Sequence, residues 1–515
     1  MTVYGRIEKI SETMQSNQRE NELFRSDDPN LGKEEQVTVP AVKLIIGSTI
    51  ATIFSVVLPF LLDMLTSSQA QDLYIGWALY QGGQFQSNYY ASQGFLYYIF
   101  LYITQGSILF AIVEWLALLV SGYFLYRSTG YLTGQNKQAD QLLTIFYLLV
   151  SGLGFGGGYA NILALPFLLG GFLLVANYLS NPNHDKGFLR LGILFGISFF
   201  IEPLTTFLFI LVVAIGLLIF NIDKGRSING VYQFFASALG FSLIFYPLAY
   251  YVLVSGGAEE ALSGIMYPIA SIRIFANPQL LENVLFYGLI ALGLGGFLFI
   301  FLILTQSRTS RLYALSIPAS LGFLLSLVLT ILSQEPFHGS RLLVSLPFLL
   351  LLLIASIQGK HSGRGSRRRE ETPSLGERFM KGNLYLPVLV IAYLLVFPFV
   401  DRFLLHPDTF RQESQVVEII KRETSEKDQI YIWDQFVQGY KDSHRLAGSM
   451  FPSPVLYTTT AENKNVLIND LKENQPKMIV VNNKVSLWSE VADLLKEHYQ
   501  VKKTDLPNFK VYKLK

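Results

Sequence analysis

The chain has 515 residues, half of them hydrophobic and only 15% charged, whereas a soluble protein carries about a quarter charged residues. Its formal net charge of +2 gives no ground for expecting a nucleic-acid partner. The absence of cysteine excludes disulfides, thiolate zinc sites and thiol catalysis.

Residues 1–40 are polar, with Arg6, Lys9, Arg19, Arg25 and Lys33 scattered among acids and no visible signal peptide, which predicts a disordered cytosolic tail. Apolar runs then predict eleven membrane helices, near 41–63, 106–126, 141–157, 161–180, 187–202, 204–221, 232–254, 284–305, 312–333, 341–358 and 384–400. Glu202-Pro203 breaks the fifth from the sixth. With the N-terminus inside, the cytoplasmic loops carry Arg127 and Lys137, Lys186 and Arg190, Lys224 and Arg226, and Arg308 and Arg311, followed by the basic loop 359–383 with Lys360, Arg364, Arg367, Arg368 and Arg369. The opposite loops hold little besides Arg273 and Arg341. This positive-inside asymmetry requires the fifth and sixth helices to be separate spans. The basic loop reads as an anchor on anionic lipid. The loop 64–105 and everything after the eleventh helix are then extracytoplasmic. From Asp401 the composition becomes soluble, and the strands QIYIWD, KMIVVNN and FKVYKL alternate with helices QVVEIIKRE, NVLINDLKEN and LWSEVADLLKEHY. That order predicts a small α/β domain over 401–515.

Within Ser68–Ile103 Asp72 is the sole charged side chain, surrounded by Tyr74, Trp77, Tyr80, Phe85, Tyr89, Tyr90, Phe95, Tyr97 and Tyr98. Amphipathic aromatics suit the headgroup level, so the segment is expected to lie along the membrane surface. A carboxylate in that low-dielectric setting is suited to accept a proton from a hydroxyl. Its competing role is to cap a helix from Leu73 to Gln81 that ends at Gly82-Gly83. Later in the chain, His338 and Arg341 are three residues apart at the start of helix ten, and a guanidinium bordering an apolar run suits a lipid phosphate. Arg273, in the loop 255–283 with Glu259, Glu260, Tyr267 and Glu282, is a second phosphate candidate. Glu202 is expected at the outer mouth of the helices, and Glu114 is expected to make a packing hydrogen bond within them. The histidines are scattered, and HExxH and DxD patterns are missing, so no dedicated metal site is assigned. A divalent cation is left open.

The run S-x3-D-L-Y-I-G-W-A-L-Y-Q-G-G and the following Y-Y-A-S-Q-G-F-L-Y-Y resemble the first loop of the GT-C membrane glycosyltransferases. The resemblance is to the bacterial branch related to protein O-mannosyltransferases and aminoarabinose transferases. Ser68, Asp72, Ala78, Gly82, Gly83, Gly94, Leu96 and Tyr97 match that pattern. The run HGSRLLVSLP is similar to the family's R-Y-x-x-P-x-x-P helix start, and DQIYIWD with YKDSHR is similar to its soluble segment in Gram-positive members. Departures are Gln71 and Leu73 beside Asp72, where a second acid is common, and Ser92-Gln93-Gly94-Phe95 without proline.

The resemblance implies a polytopic α-helical membrane protein with a small C-terminal extracytoplasmic α/β domain, active on the outer face of the plasma membrane. It implies an inverting transfer of sugar from an undecaprenyl-phosphate donor to a cell-envelope glycan, teichoic acid, lipid or protein. In that reading Asp72 is the base, and Arg341, Arg273 and His338 hold the donor phosphate. Tyr74, Trp77, Tyr89, Tyr90, Glu202 and Arg445 contact donor or acceptor sugar, with Trp433 as a further glycan contact. The competing readings are a membrane polysaccharide polymerase or ligase, and a non-enzymatic lipid-sugar transporter or scaffold.

Overall fold

Long apolar runs have no alternative in a bilayer to satisfying their own backbone hydrogen bonds, and all eleven predicted segments contain helices. The computed structural model describes residues 39–83, 89–133, 136–272, 277, 279–304, 312–358, 379 and 385–515. Residues 1–38 of the predicted N-terminal tail, Arg273, Arg308, Arg311 and the basic loop 359–383 lie outside the described residues, apart from position 379 of that loop.

Among the described residues eight helices are long and apolar enough to cross a membrane: Ala41–Leu61 (α1), Phe110–Thr133 (α4), Ala160–Ser180 (α6), Pro203–Asp223 (α8), Ser227–Val254 (α9), Tyr313–Leu332 (α13), Gly339–Ser356 (α14) and Leu386–Leu405 (α15). A ninth is counted if Leu280–Gly293 (α11) and Gly296–Leu304 (α12), bent by 59° at their junction, form one span. The remaining two predicted segments are shorter in apolar length. Asn136–Leu153 (α5) opens on the polar run Asn136 to Gln141, and Phe188–Phe199 (α7) has only 12 residues. Between the spans lie three further helices, Ser67–Tyr80 (α2), Phe95–Ile103 (α3) and Ala258–Ala270 (α10).

Small residues set the tightest helix contact. A Cβ on Gly192 of α7 would sit 1.9 Å from the Ser237 carbonyl oxygen, and one on Gly240 of α9 would sit 2.0 Å from that of Leu189. Two glycines facing opposite backbones thus allow α7 and α9 to approach where no methyl fits. Burial also separates the helices by role. In α9 and α15 only 11% of the apolar window is buried, whereas in α14 it is 89%. The first two turn their side chains outward, as lipid-facing helices do, and α14 runs through the middle. It begins as a tighter turn of 3₁₀ helix over Gly339–Ser345, and Arg341 stands in that turn.

The C-terminal part is the expected α/β domain. Its strands are Gln429–Trp433 (β1), Leu446–Ala447 (β2), Met478–Asn482 (β3), Tyr499–Lys502 (β4) and Phe509–Leu514 (β5). They form one sheet in the order β2-β1-β3-β5-β4. β1 pairs parallel with β2 and β3, and β5 antiparallel with β3 and β4. Ile430, Tyr431, Ile432 and Trp433 are fully buried, as are Met478, Ile479 and Val480, the continuous apolar pattern of strands covered on both faces. Helices Pro407–Glu423 (α16), Gln438–Ser443 (α17), Ala461–Asn474 (α18) and Ser489–His498 (α19) complete it. Its core continues into the membrane part, for Tyr90 and Tyr267 belong to the same buried cluster as Tyr431, Trp433, Leu467 and Val481.

Candidate active site

Helix α2 has 14 residues, about 21 Å at 1.5 Å per residue and too short to span a bilayer. It starts earlier than the sequence reading placed it. Thr66, not Asp72, is the cap, its hydroxyl accepting the Gln69 amide at 3.2 Å. The predicted end is where it was expected, at Gln81, with Gly82 at φ +100°. Asp72 is therefore a mid-helix residue, and with backbone duty excluded its side chain is available for something else.

The Asp72 carboxylate is buried and accepts the Tyr98 hydroxyl at 2.9 Å. Tyr97 lies 3.4 Å from the other oxygen, but its single proton is better placed on the Gly158 carbonyl at 2.8 Å. Gly158 is held in turn by Glu114, whose carboxylate accepts the Gly158 amide at 2.5 Å and the Ser55 hydroxyl at 2.6 Å. Glu114 thus makes the expected packing hydrogen bonds, and it steadies the turn on which Tyr97 rests. Burial pushes the Asp72 carboxyl up from 3.8 to about 7, and the hydroxyls of Tyr98 and Tyr97 offset only part of that.

Asp72 opens into a cavity of about 170 Å³ shared with Ser68, Ser92, Gln93, Tyr159, Asn161, Glu202, Tyr267, Glu335, Arg341 and Tyr457. They come from α2, the first loop, the start of α6, the α7–α8 junction, α10, the start of α14 with the segment before it, and the C-terminal domain. Gly94 holds the first loop in place, with its amide on the Ile201 carbonyl at 3.0 Å. A Cβ there would lie 2.2 Å from the Phe200 oxygen. The next residue after that contact is Glu202, which lines the cavity and caps α8 by accepting the Thr205 amide at 2.6 Å.

Across the cavity Arg341 donates to the Ser333 hydroxyl at 2.6 Å and lies 3.8 Å from Glu335. Glu335 was not singled out from the sequence. Its Oε1 accepts the Tyr267 hydroxyl at 2.5 Å and the Tyr457 amide at 3.0 Å. Its Oε2 is buried without a hydrogen-bond partner. Burial raises its pKa and the Arg341 charge opposes the rise. Tyr457, also missed, belongs to the C-terminal domain and reaches the cavity from a backbone at φ +60°, a strained conformation for a side chain of that size.

Other expected site residues lie elsewhere. His338 caps α14, its Nδ1 accepting the Ser340 amide at 3.2 Å. Burial and then the Arg341 charge push its pKa from 6.5 down to about 3, so it brings no positive charge. Tyr74 is fully buried, its hydroxyl accepting the Ala447 amide at 2.8 Å and its ring against Tyr89 and Tyr440. Trp77 packs near His444. Tyr90 donates its amide to the Met450 carbonyl at 3.1 Å and packs on Phe451. These aromatics hold the C-terminal domain against the first loop. Arg445 is buried in that domain, donating to Thr424 through Nε at 2.9 Å and Nη2 at 2.6 Å. Trp433 donates to the Ser486 carbonyl at 3.2 Å. Among the described residues no three His, Cys, Asp or Glu side chains come together to hold a metal ion.

A many-helix membrane part, a buried carboxylate and an arginine on one cavity, and an α/β domain packed against them make this a polytopic α-helical membrane protein with a small C-terminal α/β domain. The fold matches the crystal structure of ArnT from Cupriavidus metallidurans bound to undecaprenyl phosphate, with a TM-score of 0.58 and 11% identity, over 92% of this chain and 97% of that one. By sequence, the chain belongs to the Competence-induced Ccs4 family, matching its N-terminal domain over residues 33–406 and its C-terminal domain over 411–515. No curated protein matches it by sequence.

Proposed function

We propose that this protein is an inverting glycosyltransferase that moves a sugar from a polyprenyl-phosphate donor to an acceptor hydroxyl of the cell envelope, on the extracytoplasmic face. The observation that carries the reading is the shared cavity, in which a carboxylate of raised pKa and a guanidinium face the same space. The ArnT structure of the same fold holds undecaprenyl phosphate, which supports a lipid phosphate as the ligand of such a space.

In this mechanism Arg341 binds the donor phosphate, and its fork geometry fits phosphate oxygens. The polyprenyl chain needs only apolar helix surface. The acceptor oxygen attacks the anomeric carbon from the side opposite the phosphate, and Asp72 takes its proton. The bond from that carbon to the phosphate oxygen breaks, and its electron pair leaves on polyprenyl phosphate, with inversion at the sugar. A base of this kind contributes about 10²–10⁴-fold in rate, and its negative charge also stabilises the cationic character that develops at the anomeric carbon.

The test is consumption of a panel of radiolabelled undecaprenyl-phosphate sugars by the purified protein, alongside Asp72→Asn and Arg341→Ala. One donor should be consumed, with turnover lost in the first variant and donor binding weakened in the second. Donor binding that never leads to turnover, unaltered by Asp72→Asn, would instead identify a lipid-sugar carrier or scaffold.

A further inference from the structure

A second cavity, of about 320 Å³, lies behind the first, between the membrane part and the C-terminal domain. The two share a wall. In the segment Gln334-Glu335-Pro336, Glu335 faces the first cavity while Gln334 and Pro336 face the second. Across from it, Tyr457 faces the first cavity while Thr458 and Thr459 face the second. A ligand in one is therefore separated from a ligand in the other by little more than one thickness of chain.

The second cavity differs from the first in its chemistry. No charged residue lines it among the described residues, and its polar groups are the amides of Gln279, Gln334 and Gln435 and the hydroxyls of Thr458, Thr459 and Ser486. Two of those groups are unused. Gln279 Oε1 and Gln334 Nε2 are buried and have no hydrogen-bond partner. Buried polar groups are nearly always paired, so an orphaned acceptor and an orphaned donor on two residues of the cavity wall are groups that a turn of the side chain would offer to a ligand. Trp488 supplies an aromatic surface, fixed edge-on against Trp433 at 5.0 Å.

We propose that this cavity is a subsite for a neutral saccharide, the acceptor of the transfer. The occupant must both donate and accept hydrogen bonds, carry no charge that the neutral wall leaves unpaired, and present an apolar face to an indole. A sugar ring does all three, with hydroxyls around its edge and C–H groups on its faces. The volume falls within the usual range of ligand sites, about 300–1,000 Å³. The acceptor role rests on the transferase reading, whereas saccharide binding stands without it.

Saturation-transfer NMR on the full chain in detergent tests this, with cellobiose and chitobiose as neutral probes, glucuronate as the charged comparator and a Ser/Thr-containing peptide as the alternative polymer. At least one neutral disaccharide should bind, and Gln334→Leu should weaken it about tenfold, the scale of one lost hydrogen bond. Thermal stability should not fall in that variant, because the Nε2 it removes has no hydrogen-bond partner in the fold, and undecaprenyl-phosphate binding should be unchanged. Trp488→Ala should weaken the disaccharide as well, but its packing on Trp433 makes the Gln334 variant the decisive one. Absence of binding by either disaccharide, equal binding by Gln334→Leu, or Gln334-dependent binding of glucuronate or the peptide in their place would overturn the assignment. Disaccharide binding by a protein that consumes no donor would overturn the transferase reading and leave the subsite intact.

Discussion

At the scale of single residues, the proposed chemistry rests on Asp72 and Arg341, which face one cavity. A carboxyl whose folded pKa lies above its unfolded one favours the folded state while protonated. That contribution is complete below about pH 4 and is lost as pH rises through about 7. The rise from 3.8 to about 7 corresponds to on the order of 4 kcal/mol. Asp72→Asn should therefore melt above the native protein at pH 8, with the gap closing toward pH 4; a gap independent of pH would show that the Asp72 charge is not the cause. The activity has the opposite sign, because the base must be ionised. Donor turnover should climb as pH passes through about 7 and then level off, and Asp72→Asn should lower it by about 10²–10⁴-fold at the plateau. A flat profile between pH 5 and 9 in single-turnover measurements would remove Asp72 as the base. For Arg341 two roles must be separated, since it faces the cavity and also neutralises buried Glu335 at 3.8 Å. Arg341→Ala should cost about 1–3 kcal/mol of stability by leaving that carboxylate without its cation. Adding Glu335→Gln should restore the melting temperature while donor binding, read by titration with undecaprenyl phosphate, stays weak. Recovery of both together would reduce Arg341 to a partner for Glu335.

At the scale of elements, helices were legible because length and apolar content leave a bilayer segment few alternatives. Strand β4 was not. Tyr499–Lys502 has only four residues and follows α19 without a break, so its first residue was absorbed into the helix pattern. The start of α2 was misplaced for a similar reason, since Thr66, Ser67, Ser68 and Asp72 are all good caps and spacing alone does not rank them. The aromatics of the first loop show a deeper limit. Tyrosine and tryptophan at a headgroup and tyrosine and tryptophan beneath a second domain have the same composition. What decides between them is a partner far along the chain: the Tyr74 hydroxyl meets the Ala447 amide 373 residues away. Tyr74→Phe tests the outcome. It leaves a buried N–H without an acceptor, at a cost of about 1–3 kcal/mol, and the loss should fall on domain docking. Hydrogen exchange around residues 445–451 should speed up while the strands β1 and β3 stay protected. Faster exchange throughout the domain would mean that Tyr74 supports its folding and not its attachment.

At the scale of the whole molecule, the site is assembled from segments that no local pattern links. Asp72 and Arg341 were visible as isolated charges in apolar surroundings, which is the strongest signal a membrane sequence offers. Glu335 and Tyr457 carried no such signal. Glu335 sits in a short polar connection, and Tyr457 is one tyrosine among 28, brought to the cavity by a backbone turn at φ +60°. Their meeting through the Tyr457 amide joins the C-terminal domain to the wall of the cavity, so the reading of the site depends on where that domain lies relative to the membrane. Orientation was inferred from the Lys and Arg of alternate loops, and the absence of cysteine makes it directly measurable, since any introduced thiol is the only one in the chain. Lys503→Cys lies at an exposed position of the C-terminal domain, and Lys224→Cys at an exposed position between α8 and α9. A membrane-impermeant maleimide applied to intact cells should label the first, whereas the second should react only after lysis. Both positions are on the surface, so neither substitution should disturb packing. The reverse pattern would put Asp72 and Arg341 on the cytoplasmic face, and the acceptor would then have to be a cytosolic molecule. Labelling of both in intact cells would put the loop between α8 and α9 on the same side as the domain, so that the elements from α9 to α15 would cross an even number of times and the bent pair α11 and α12 would no longer count as a span.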